Sequence, residues 1–151
     1  MASGRCKSTV DVHLLLVCKR QVLLQLRQNT GYEDGSFHFP AGHVEEGENA
    51  LEAVIREADE ELGLALREDW LELVYTLHRQ SDGSRVSLFF ACHAWAGAPT
   101  AKEPHKCAEL RWCAPDALPA RMVPYARHAF EQIRTGKRFG TFGWPGRTAL
   151  P

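Results

Sequence analysis

Short β-rich segments interleaved with two helix-patterned ones predict an α/β chain, with a mixed central sheet lying between helical layers. Apolar residues recur at helical spacing over 50–62 and again over 123–135, whereas the other apolar runs are short and bounded by turn residues. No repeat or linker interrupts this order. Residues 1–151 therefore read as one domain, with a core from about 9 to 135 and an aromatic, glycine-rich tail over 136–151.

Thr9 to Val17 opens the chain as a strand, with Val10, Val12, Leu14 and Leu16 alternating against Asp11 and His13. Gln21 to Arg27 follows a two-residue turn at Lys19-Arg20, so the pair reads as a hairpin. Asn29 to Ser36 is a polar loop, and Phe37 to Phe39 is a short extended piece stopped by Pro40. Asn49 with Glu52 forms the signature of a capping box, and the Ala-, Leu- and Glu-rich run from Ala50 to Leu62 favours helix. Gly63 stands where a left-handed C-terminal cap is usual. Asp69 to Arg79 and Arg85 to Trp95 read as two strands joined by the turn Ser81-Asp82-Gly83-Ser84. Gly97 to Lys106 is a loop, Glu109 to Cys113 a strand and Pro115 to Leu118 a short helical turn. Val123 to Thr135 is a final helix, ended by Gly136. The tail, with Arg138-Phe-Gly-Thr-Phe-Gly-Trp-Pro, is expected to pack across the domain or an interface.

A chain of 151 residues, 44% hydrophobic and 25% charged, is long enough for one well-packed core. Its net charge of −1 argues against nucleic acid or an anionic membrane surface as the main partner. No apolar run approaches the roughly 20 residues that cross a bilayer, and the first residues lack the apolar core of a signal peptide. The five cysteines form an odd number without a C-x-x-C pair, as expected of reduced thiols in a cytoplasmic protein.

The residues with the clearest chemistry lie on the first helix. Leu51, Val54, Ile55, Ala58 and Leu62 fall on one stripe, while Glu57, Glu60 and Glu61 cluster on a neighbouring arc at i,i+3 and i,i+4 spacing. Three like charges on one turn weaken an isolated helix, a cost that makes sense around a divalent cation. Carboxylates with no Cys or His on that arc suit a hard ion, Mg²⁺ or possible Mn²⁺ in its place, rather than zinc. Gly42 lets the backbone turn tightly ahead of the helix, so that a carbonyl can approach the ion.

Taken together, Gly42, Glu48, Arg56, Glu57, Ala58, Glu60, Glu61, Gly63 and Leu64 match the pattern G-x5-E-x7-R-E-U-x-E-E-x-G-U, with U apolar. The chain thus resembles the Nudix hydrolases, and in particular their small single-domain MutT-like members. That resemblance implies an α/β/α sandwich over roughly Thr9 to Arg134. It implies Mg²⁺ held by the Gly42 carbonyl, Glu57, Glu60 and Glu61, with Arg56 orienting a box glutamate and Glu48 supporting the site. MutT-like enzymes carry a further metal-binding or base glutamate in the loop after the long strand, which makes Glu103 the candidate here and Glu109 the fallback. The expected catalytic group is therefore Glu57, Glu60, Glu103 and Arg56.

Arg27, at the end of the second strand, is a candidate phosphate clamp, because a guanidinium binds phosphate bidentately. Phe37 and His38 precede the box, where either can line or stack on a base, although a core place suits Phe37 equally. MutT reads its oxidised purine with an asparagine near the start of the final helix. Met122 stands near that place here, a departure that weakens the case for 8-oxo-dGTP. The resemblance implies cleavage of a nucleoside triphosphate, or a related nucleoside diphosphate linked to a group X, to monophosphate and pyrophosphate. The alternatives are an ADP-ribose or nucleotide-sugar pyrophosphatase and a non-catalytic nucleotide-sensing or protein-binding module. The expected partner is a small nucleotide, and the chain is expected as a monomer or homodimer.

Overall fold

The computed structural model describes residues 4–146, so that residues 1–3 and the last five residues of the tail lie outside the description. Within it, the elements run β1 (Thr9–Cys18), β2 (Gln21–Arg27), β3 (Phe37–His38), β4 (Ala41–His43), α1 (Ala50–Leu62), β5 (Leu71–Gln80), β6 (Ser84–Cys92), β7 (Cys107–Cys113), α2 (Pro124–Arg134) and β8 (Phe139–Phe142), with a 3-10 turn at Glu68–Trp70. The strands form one sheet ordered β3-β2-β1-β6-β5-β8, with β4 also paired to β1 and β7 to β2. β1 and β6 run parallel, as do β5 and β8, while the other pairs are antiparallel. The mixed sheet expected from the sequence is present.

β1 is the spine of this sheet, and its alternation decides which layer covers each face. Val12, Leu14 and Leu16 pack with Ala53, Val54, Ala58 and Leu62 of α1. Leu15, with Tyr75, Leu77 and Phe89, packs with Tyr125, Ala126, Ala129 and Phe130 of α2 on the opposite face. One helix on each side makes the α/β/α sandwich. Every residue of β1 from Asp11 to Leu16 is consequently buried, the polar ones included. Among the described residues no helix is long and apolar enough to cross a membrane.

Local signals form as read. Asn49 accepts from the Glu52 amide while Glu52 reaches back to the Asn49 amide, and Gly63 closes α1 at φ 68° in the left-handed region. Lys19 and Arg20 take φ of 50° and 61°, the doubly left-handed geometry that suits the twist of a tight hairpin. Other expectations shift. Residues 115–118 form only a hydrogen-bonded turn, in which the Ala117 amide donates to the Ala114 carbonyl at 3.0 Å. β6 stops at Cys92 rather than Trp95, where β5 begins opposite it at Leu71, and beyond it Ala96 makes only an isolated bridge to Ala65. The tail adds β8 alongside β5, and the Trp144 indole donates to the His78 carbonyl at 2.9 Å.

The α2 face of β1 carries a buried polar cluster. The Tyr125 hydroxyl lies 2.8 Å from His13 Nε2 and 3.0 Å from His38 Nε2. The Arg79 guanidinium sits 3.7 Å above the Tyr125 ring and is paired with Asp11 at 3.1 Å. Burial lowers the His13 pKa from 6.5 to about 4 and holds His38 well below its ordinary value.

Two outcomes follow for stability. Asn49→Ala removes the cap of α1 and should cost about 1 kcal/mol in urea unfolding; an unchanged midpoint would show that packing alone sets the helix start. Because His13 stays neutral in the folded protein while an unfolded histidine takes up a proton below pH 6.5, its contribution is full above that pH and is lost as pH falls toward about 4. The loss amounts to something on the order of 3 kcal/mol. A shallower decline in His13→Gln, read as unfolding free energy against pH, is expected; an identical slope would place the acid sensitivity elsewhere.

Candidate active site

The acidic arc of α1 faces a cleft of about 430 Å³, walled on other sides by β4, the end of β2 and the loop before β7. Glu57, Glu60 and Glu61 line it, and so does Glu103. The last reaches the cleft because its loop is tied to the helix end: the Thr100 and Lys102 amides donate to the Leu62 and Glu61 carbonyls, each at 3.0 Å. These bonds satisfy carbonyls that a helix C-terminus leaves without partners. The Glu103 carboxylate faces Lys106 at 3.7 Å, and Lys106 also lines the cleft. Glu109 instead pairs with Arg111 at 2.6 Å and does not line it.

Arg56 organises the acids. It donates to Glu48 from two nitrogens at 2.7 and 3.0 Å, to Glu57 at 2.8 Å, to Glu60 at 3.3 Å and to the His43 carbonyl at 3.0 Å. Those hydrogen bonds hold the Glu48 carboxyl down to about 2. Glu57 and Glu61 behave differently. Burial pushes both upward, and the charges of Glu57 and Glu103 push Glu61 further, to well above the usual carboxylate range. One Glu61 oxygen accepts from the Ala41 amide at 3.2 Å. Buried carboxylates facing one another are unfavourable as bare anions and favourable around a cation.

Does the chain fit a divalent ion? The donors are all oxygens, as a hard ion requires. Gly42 lies against the Glu57 side chain so closely that an added Cβ would overlap the carboxylate unless Glu57 turned away. Among the described residues no three metal-binding side chains are gathered around one point as they stand, since Glu57 and Glu60 are turned onto Arg56. Modest rotation of those two flexible side chains is what a cation would require, so the residues suit the ion.

A second cavity, of about 470 Å³, opens from the first across Arg27, Ala41, Gly42 and His43. Its wall is the polar cluster: Asp11, His13, His38, Arg79 and Tyr125, with Tyr32 and Arg85 also lining it. Of the expected substrate-binding residues, Arg27 borders both cavities but is also tethered to its own loop, donating to the Tyr32 carbonyl at 2.8 Å and to Thr30 at 2.9 Å. His38 lines the second cavity. Phe37 and Met122 line neither and lie in the core, 6% and 5% exposed. The Phe37 amide donates to the Arg121 carbonyl and the Val123 amide to the Phe37 carbonyl, both at 2.9 Å, which stitches this stretch into the sheet edge. Sequence reasoning missed Asp11, His13, Arg79 and Tyr125. The available signal was the pair Asp11 and His13, polar residues at alternate places in an otherwise apolar strand.

A cleft of acids suited to a cation, opening into a polar and aromatic cavity, can hold phosphates at one end and an organic group at the other. The NUDIX domain family model matches residues 7–133. A MutT NUDIX hydrolase from Burkholderia pseudomallei is similar in structure, with a TM-score of 0.76 and 30% identity over 83% of this chain and 98% of that one. The ORF135 protein of E. coli follows with a TM-score of 0.67 and 25% identity, over 85% and 92% of the two chains. A NUDIX hydrolase from Nitrosomonas europaea shares the fold, with a TM-score of 0.72 and 24% identity over 88% and 93%. No curated protein matches the chain in sequence. The chain belongs to the NUDIX family, as a MutT-like hydrolase.

Proposed function

We propose that the chain is a Mg²⁺-dependent pyrophosphohydrolase that cleaves a nucleoside triphosphate, or a related nucleoside diphosphate linked to X, to monophosphate and pyrophosphate. The observation that carries this reading is the convergence of Glu57, Glu60, Glu61 and Glu103 on one cleft with Gly42 left open beside them. The Gly42 carbonyl and these carboxylates would hold the cation, with Mn²⁺ able to stand in for Mg²⁺. A divalent ion there neutralises charge on the phosphates and makes water easier to deprotonate.

The residues divide the remaining work. Arg56 fixes Glu48, Glu57 and the His43 backbone in one network, so that the acids keep their places when a substrate arrives. Glu103, at the open side of the cleft, is suited to take the proton from the attacking water. Arg27 and Lys106 supply positive charge at the cleft wall, where the phosphates would lie. His38 faces the X group, with Phe37 and Met122 holding its strand from the core side.

Glu60→Gln removes one carboxylate charge at nearly constant shape and should lower kcat/KM roughly a hundredfold or more, with the circular dichroism spectrum unchanged. Pyrophosphate release near the wild-type rate would sink the cation assignment. Glu103→Gln is expected to slow kcat by a smaller factor, and no effect would move the base to another carboxylate. Gly42→Ala forces a methyl group into the Glu57 carboxylate. It should raise the Mg²⁺ concentration needed for half-maximal rate, and an unchanged requirement would show that this close approach is not used.

A further inference from the structure

We infer that the chain Asp11–His13–Tyr125–His38 fixes the hydrogen-bond polarity of the second cavity, making its wall an acceptor that selects nucleotides whose X group carries an N–H or O–H donor. The inference rests on the reading of the acidic cleft as the phosphate site, since that reading is what places X in this cavity.

Asp11 and His13 stand two residues apart on β1, so both point to the α2 face. Arg79 pairs with one Asp11 oxygen at 3.1 Å, and a carboxylate offers acceptors only. The other Asp11 oxygen lies 3.5 Å from His13 Nδ1, and both atoms are buried without a hydrogen-bond partner. A carboxylate beside Nδ1 favours a proton on that nitrogen. His13 is 1% exposed, and a ring so buried stays neutral and holds one proton only. Its Nε2 is then a bare lone pair and must accept from the Tyr125 hydroxyl at 2.8 Å.

A phenol has a single proton to give. Having given it to His13, the Tyr125 oxygen can only accept at its second contact, His38 Nε2 at 3.0 Å. His38 Nε2 therefore carries the proton of that neutral ring, and His38 Nδ1 is left as a lone pair. This atom is buried, has no partner, and belongs to a side chain that lines the cavity and is 2% exposed. Such an orphan is costly unless a ligand supplies a donor. A donor on X can come from an exocyclic amino group of a base or from a hydroxyl of a sugar.

The polarity belongs to Asp11 rather than to His38. An asparagine amide can donate to His13 Nδ1, and every step of the chain then reverses: His13 Nε2–H donates to Tyr125, the Tyr125 proton goes to His38 Nε2, and His38 Nδ1 becomes a donor.

The first test is long-range ¹H–¹⁵N spectroscopy of protein labelled at its histidines, which separates protonated from bare ring nitrogens without any substrate. The expected result is a proton on Nδ1 of His13 and on Nε2 of His38, exchanged to the opposite nitrogens in Asp11→Asn. A proton on His38 Nδ1 in the wild type overturns the inference, whether or not the variant folds. The second test is kcat/KM for matched substrates: ATP against purine riboside triphosphate, which lacks the amino group, and ATP against dATP, which lacks a hydroxyl. At least one pair should differ by about ten- to a hundredfold, and His38→Phe should bring that ratio toward one. The first pair responding assigns the donor to the base, and the second assigns it to the sugar. Equal rates within both pairs, or a ratio unchanged in His38→Phe, overturn the selection. Hydrolysis of none of these compounds counts against the selection as stated; the phosphate-site reading fails with it only if Mg²⁺ also leaves the wild type inert toward nucleotide sugars and dinucleotides.

Discussion

Carboxylates gathered in one partly buried cleft repel, and a folded chain that keeps them there needs a fixed opposing charge. Arg56 supplies it. Its guanidinium bridges Glu48, Glu57 and Glu60 and bonds the His43 carbonyl, so it ties α1 to β4 as well as balancing charge. Among the described residues Glu61 pairs with no Arg or Lys; burial and the charges of Glu57 and Glu103 push its carboxyl upward against the Ala41 amide and the Gln25 side chain. With Arg56 behind the acids and Arg27 and Lys106 at the wall, Glu57, Glu60, Glu61 and Glu103 still crowd a cleft where a small cation would complete the balance. The positions of β4, Gly42 and the Glu103 loop all make sense as walls of that one electrostatic site.

The sheet serves this site by bringing two dissimilar cavities together. β1 presents apolar residues to α1 and, at Asp11 and His13, polar residues to the α2 side, so the strand that supports the acidic helix also floors the second cavity. Arg27, at the end of β2, stands where the two cavities join. A molecule with phosphates in the first and an organic group in the second would lie across β4, where Gly42 has no side chain to obstruct it.

How much of this was legible in the sequence depended on whether the cause was local. The capping box of Asn49 and Glu52, the Gly63 cap and the hairpin at Lys19-Arg20 are decided within a few residues, and all formed as read. β4, with the sequence Ala-Gly-His, and β8, with Phe-Gly-Thr-Phe, have little strand character of their own; they exist because β1 and β5 offer backbone to pair with. Glu103 was singled out through the family pattern, while what brings it to the cleft, two amides bonded to the end of α1, was not visible. Asp11 and His13 read as the polar side of a half-buried strand, and only the packing of α2 turns that side inward. Phe37 and Met122 show the reverse: apolar residues expected at the substrate lie in the core, bridged to each other through the backbone.

The central claim, that the acidic cleft is strained until a divalent cation enters, is tested most directly by thermal unfolding of the wild type and of Glu57→Gln/Glu61→Gln, with and without Mg²⁺ at constant ionic strength. The expected result is a saturable rise in Tm with Mg²⁺ for the wild type, no such rise for the double variant, and a metal-free double variant at least as stable as the metal-free wild type, because removing the charges relieves the repulsion. A wild type indifferent to Mg²⁺, or a double variant that loses stability without the ion, would contradict it.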